Sequence, residues 1–97
     1  CVLKELDGSY RMWFSYRAKT LYRGENLENS YRIGTATSLD GIHWERKDNE
    51  SGIGLGDAGW DSEMIEYPMV FTIESQEYMY YNGNGFGHSG FGLAIKI

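Results

Sequence analysis

This chain has little cysteine, little proline and few cations, and each scarcity excludes something. Cys1 is the only cysteine, so no internal disulfide can form and no thiolate cluster can hold a metal. Lys and Arg number 9 against 14 Asp and Glu, giving a net charge of −5, and the cations are scattered. Phosphate contacts need clustered Lys and Arg, so nucleic acid is not an expected partner. No apolar run approaches the roughly 20 residues that a membrane-spanning helix needs, and no signal-like segment opens the chain. A membrane partner is therefore not expected either. The first residue is Cys1 rather than Met, which places the expected natural start upstream.

What the chain does have is glycine and aromatic rings. Thirteen Gly stand against one Pro, with 8 Tyr, 4 Phe and 3 Trp. That mixture suits short, tightly turned strands carrying large side chains, not long helices. At 41% hydrophobic and 24% charged, the chain has enough apolar surface to bury a core.

Two segments repeat. Val2-Leu3-Lys4, Asp7-Gly8 and Arg11-Met12-Trp13-Phe14-Ser15 match Met69-Val70-Phe71, Ser75-Gln76 and Tyr78-Met79-Tyr80-Tyr81-Asn82. A third strand matches too, Ile33-Gly34-Thr35-Ala36-Thr37-Ser38 with Phe91-Gly92-Leu93-Ala94-Ile95-Lys96. In the first unit, Asp40-Gly41 signals a hairpin leading into a fourth strand. The expected strands are 1–6, 10–17, 30–38 and 43–47, then 67–73, 77–82 and 90–97. Four antiparallel strands in about 45 residues, repeated, are the blade of a β-propeller. The chain therefore reads as all-β, with a first blade over 1–50 and a linker with an incomplete second blade over 51–97. A small sandwich or meander is the alternative. The small residues Gly34, Ala36, Gly92 and Ala94 favour stacked blades.

A meander sorts its connections onto two ends. The turns at 7–8, 39–41 and 74–76 share one end, and the long stretches 18–29, 48–66 and 83–89 share the other. Long connections not needed for chain reversal are where function concentrates. The linker brings Trp60, Asp61, Glu63, Glu66 and Tyr67 to the first strand of the second unit. Carboxylates gathered and partly desolvated there would suit acid-base work. The plainer reading makes Asp61 and Glu63 solvated loop charges and gives Glu66 a backbone amide to cap. The loop Asn82-Gly83-Asn84-Gly85-Phe86-Gly87-His88 is glycine-rich, but no Lys and no helix follow it, so phosphate and dinucleotide cradles are excluded. No cofactor is expected. His88 is a ligand contact or simply an exposed loop residue, and His43, on the opposite end, reads as structural.

Tyr10-Arg11-Met12-Trp13-Phe14-Ser15, the run from Tyr31 to Trp44, Glu66-Tyr67-Pro68 and Tyr78-Met79-Tyr80-Tyr81-Asn82-Gly83 together resemble the five-bladed propeller glycosidases of the family 43 and family 32 type. The resemblance covers nearly the whole chain. It implies three carboxylates at the starts of successive inner strands, one of them a general acid in a Glu-Gly-Pro motif. Glu66 with Pro68 matches that acid, Tyr67 departs from its Gly, and Glu63 and Asp61 are further catalytic candidates. The orienting aspartate and the base would lie upstream of Cys1. Sugar contacts are implied for Trp60, Tyr67, Asn82, Asn84 and His88, with Trp60 stacking on a sugar ring. The expected partner is an oligo- or polysaccharide, and the expected protein partners are the remaining blades or further copies of the chain. The competing expectation is a non-catalytic sugar-binding or self-assembling module.

Overall fold

The computed structural model describes residues 1–22 and 26–96. Its strands are β1 (Val2–Lys4), β2 (Tyr10–Tyr16), β3 (Arg32–Ser38) and β4 (Glu45–Arg46), then β5 (Glu66–Ile73), β6 (Gln76–Asn82) and β7 (Phe91–Ile95). The fold is all-β, with two antiparallel sheets, a four-stranded one ordered β1-β2-β3-β4 and a three-stranded one ordered β5-β6-β7. Part of the expected connection 18–29, at 23–25, and the end of the expected strand 90–97 lie outside the described residues.

Strand periodicity explains which side chains meet. In the first sheet Trp13 stands opposite Thr35, and Ser15 opposite Ile33. In the second, Met79 lies between Val70 and Ala94. Trp13, Ile33, Val70, Met79 and Tyr81 are buried in one cluster with Ile65, and Leu3, Trp60 and Ala94 pack against it. The two sheets thus lie face to face around a shared apolar layer. Arg11 ties the two units together at one end by pairing with Glu77 of the second sheet and with Glu5, in the turn after β1.

The repeat holds residue by residue, with one correction. Met12 stands between Val2 and Ala36 just as Met79 stands between Val70 and Ala94, and Phe14 opposes Gly34 as Tyr81 opposes Gly92. Val2 is therefore the counterpart of Val70, one position away from the pairing that the sequence pattern gives. Unequal turns cause the slip. The first unit turns through residues 5–9 between Lys4 and Tyr10, whereas Ile73 pairs with Gln76 across Glu74 and Ser75 alone.

Both of those turn residues have positive φ, 50° at Glu74 and 67° at Ser75, as the tightest hairpins require. Side chains resist that region by roughly 1–2 kcal/mol per residue. Ser75→Gly is expected to stabilise the chain by about 1 kcal/mol, read as a higher urea midpoint at unchanged slope.

The expected tight Asp40-Gly41 hairpin is instead a wider connection, residues 39–44, and β4 is only Glu45–Arg46, shorter than the 43–47 expected. Side chains close it. The Asp40 carboxylate accepts from the His43 and Ile42 amides, each at 2.8 Å, and from the Ser38 hydroxyl at 3.0 Å. It also shares a 2.7 Å hydrogen bond with His43 Nδ1. These bonds, that from the imidazole first, hold the Asp40 carboxyl well below the usual carboxylate range. His43 is exposed and serves this turn.

Candidate functional site

The long connections converge at one end of the sheets, on Tyr31. The Ile65 amide donates to the Tyr31 carbonyl at 3.1 Å, which lays the linker alongside the entry to β3. Tyr22 of the first long loop and Phe86 of the last both meet the Tyr31 ring edge-on, with centroids 5.8 and 5.4 Å away. Arg17 lies over the Tyr22 ring at 3.7 Å and donates from Nε to the Tyr31 hydroxyl at 3.1 Å. Sequence reading did not single out Arg17, Tyr22 or Tyr31. Their signal was an excess of aromatic residues in or beside connections that share an end.

The linker is pinned down by Asn84. Its Oδ1 accepts from the amides of Glu63 and Met64, at 2.8 and 3.2 Å, and its Nδ2 donates to the Gly59 carbonyl at 2.8 Å. Its own amide donates to the Trp60 carbonyl at 2.6 Å. The side-chain amide expected to contact sugar is thus already committed to backbone. A ligand could reach these atoms only by releasing the linker. Asn84→Ala orphans two amides and is expected to cost about 2 kcal/mol, measured as a lower midpoint of chemical unfolding.

Trp60, the expected sugar platform, is likewise engaged within the protein. Its ring is partly buried, stacks on Tyr81 with centroids 5.4 Å apart, and lies so close over Gly92 that a Cβ there would enter it. The small residue read as room for a neighbouring blade makes room for this indole. Asp61, beside it, accepts a 3.2 Å hydrogen bond from the Tyr81 hydroxyl. Burial and this neighbouring carboxylate raise the Tyr81 pKa. Glu63 is exposed.

Glu66 stands apart from both. It opens β5 opposite Asn82, is fully buried, and neither carboxylate oxygen has a hydrogen-bond partner among the described residues. The amide-capping role that the plainer reading gave it is therefore not what the structure shows. Burial pushes its pKa from 4.5 up to about 7. A carboxyl in that state carries its proton near neutrality and can give it up, as a general acid must.

The next residue explains how the side chain is aimed. Tyr67 has φ 58°, the pairing of β5 with β6 is irregular between Glu66 and Met69, and the Tyr67 amide donates to Ser15 Oγ at 2.8 Å. A bulge of this kind re-aims a side chain at the start of a strand. It turns Glu66 inward and leaves Tyr67 exposed. Asn82 lies beside Gly87, and His88 is exposed.

A cavity of about 280 Å³ opens between the sheets, lined by Arg11, Trp13, Val70, Glu77 and Met79 among others. It lies toward the short-turn end, and none of the expected site residues lines it. Chemistry weighs more than hollowness here, since the buried unpartnered carboxyl is at the other end.

No family model matches the chain, and no solved structure matches it. Curated proteins do. The uncharacterized protein MT1551 of Mycobacterium tuberculosis (strain CDC 1551 / Oshkosh) is 43% identical over 95 residues, covering 98% of this chain and 28% of that protein. The uncharacterized protein Rv1502 of Mycobacterium tuberculosis (strain ATCC 25618 / H37Rv) is 44% identical over 88 residues, covering 91% of this chain and 26% of that protein. The chain is thus similar to, and spans about a quarter of the length of, the curated relatives it matches.

Proposed function

We propose that this chain is a two-blade section of a β-propeller glycoside hydrolase, and that Glu66 is its general acid. The observation that carries the reading is the buried, unpartnered Glu66 carboxyl, with its pKa near 7, at the start of β5 and at the loop-rich end. Glycosidic cleavage needs a protonated carboxyl at the leaving oxygen and a second carboxylate across the sugar ring.

Two further features support it. Tyr67 departs from the Gly of the glycosidase motif, yet its φ of 58° lies in the region that favours glycine. That backbone is one that a glycine at this position would adopt freely, which fits the Gly of the motif. The sheets also repeat one register, as consecutive blades do. Aromatic rings of Tyr22, Tyr31 and Phe86 beside the linker offer apolar surface to a sugar. With about a quarter of the relatives' length present, the remaining carboxylates belong to the rest of such a protein.

The test is glycoside cleavage by a complete protein carrying this segment. Glu66→Gln is expected to slow substrates with poor leaving groups on the order of 10²–10⁴-fold, and substrates with good leaving groups far less. Equal losses on both would remove Glu66 from the acid role.

A second reading, a self-assembling module without catalysis, is favoured by one observation, the exposure of Met69, Leu93 and Ile95 on the side of the second sheet turned away from the core.

A further inference from the structure

The buried place of Glu66 depends on how β5 enters its sheet. Between Glu66, opposite Asn82, and Met69, opposite Tyr80, the second sheet sets Tyr67 and Pro68 against Tyr81 alone. Paired one for one from Met69 backwards, Glu66 would fall opposite Gly83, and its side chain would turn to the other side of the sheet. The extra residue of the bulge is therefore what aims the carboxyl.

That bulge runs against the local preferences of the chain. Tyr67 holds φ 58°, where a side chain crowds the backbone. It also precedes Pro68, whose ring pushes the residue before it toward an extended backbone. Pro68 itself has no amide proton with which to anchor the strand. What reaches this stretch is a bond from the other sheet: the Tyr67 amide donates to Ser15 Oγ at 2.8 Å, across 52 residues of sequence. Ser15 stands opposite Ile33, one residue from the end of β2, where the pairing of β2 with β3 is regular throughout. A regular strand of the first sheet thus holds the irregular strand of the second.

We propose that Ser15 is a positioning residue: by accepting the Tyr67 amide, its hydroxyl holds the bulge that keeps the Glu66 carboxyl in its buried place. Its meaning for catalysis rests on the reading of Glu66 as the general acid; its hold on the carboxyl does not. A buried carboxyl without a partner gains by reaching water or a donor. Released from the bulge, Glu66 should move that way and lose the burial that raises its pKa.

The test follows the Glu66 carboxyl carbon by NMR through a pH titration of the complete protein carrying this segment, with Glu66→Gln to identify the signal. The wild-type midpoint should lie at about 7, and in Ser15→Ala it should fall toward 4.5. Ser15→Thr keeps the hydroxyl and should keep the midpoint. Ser15→Cys offers only a weak acceptor and serves in place of Ser15→Ala if that variant does not fold. A Ser15→Ala midpoint at the wild-type value, whatever happens to its unfolding, makes Ser15 a merely structural contact and overturns the proposal. So does a wild-type midpoint at 4.5, which leaves no buried carboxyl to hold. Glycoside cleavage separates this from the acid reading. If Glu66 is the acid, the fall in rate toward alkaline pH should move to lower pH in Ser15→Ala, in step with the titration. If the titration moves and Glu66→Gln cleaves as the wild type does, Ser15 positions the carboxyl and the acid reading falls.

Discussion

Between pH 4.5 and 7 the wild-type chain is expected to lose about 3 kcal/mol of stability that Glu66→Gln does not lose. Glu66 binds its proton up to about pH 7 when folded, against 4.5 as an ordinary carboxyl. Within that window the native state holds a proton that the unfolded chain has released, so stability falls as pH rises. Below the window both states are protonated, and above it both are ionised, so the curve flattens at each end. Each pKa unit is worth about 1.4 kcal/mol, which gives the size of the step. Glutamine has the same shape and no titration, so subtracting the variant's curve isolates the group from the rest of the chain. Urea unfolding across the pH range measures it. A difference curve with no step in this window would mean that the carboxyl is not buried and protonated as described.

Trp60→Ala carries the next largest expected effect, a loss of about 3 kcal/mol. The indole fills the space over Gly92 and Tyr81, and its removal opens a cavity beside the core cluster. A double-mutant cycle separates this from a general loosening of the linker. Gly92→Ala alone should be strongly destabilising, because its Cβ meets the ring. In the Trp60→Ala background it should cost almost nothing, since the space is vacant. If the two costs simply add, the ring does not sit where the structure places it. The same result cautions against reading any loss of sugar binding in Trp60→Ala as a lost stacking contact.

The repeat was legible because strand periodicity writes itself directly into residue order. Met12 and Met79, Ala36 and Ala94, and Gly34 and Gly92 could be matched by eye. The offset at Val2 could not, because it depends on turn lengths, and Glu74-Ser75 lacks the Asn-Gly signature of the two-residue turn it forms. Asp40-Gly41 carried that signature and formed something wider, since Asp40 found better partners in Ser38 and His43.

At the site, sequence reading put Glu66 in the linker just ahead of the strand 67–73, and the structure makes it the first residue of β5. Its lack of a hydrogen-bond partner among the described residues is a property of three dimensions and leaves no trace in residue order. Trp60 and Asn84 have internal roles that residue order hides for a related reason. An aromatic or an amide in a glycine-rich surface segment has the same appearance whether it binds a ligand or fastens its own loop, and only Gly92 beneath the indole and the Glu63 and Met64 amides beside Asn84 decide the matter.

That fastening also sets how the loop end breathes. Asn84 is the acceptor for the Glu63 and Met64 amides, so neither proton can exchange with solvent until the 83–89 loop lets go of the linker. The two amides should exchange with deuterium at one shared rate, together with that of Asn84, whose amide is held by Trp60. Loop and linker then open as a single latch.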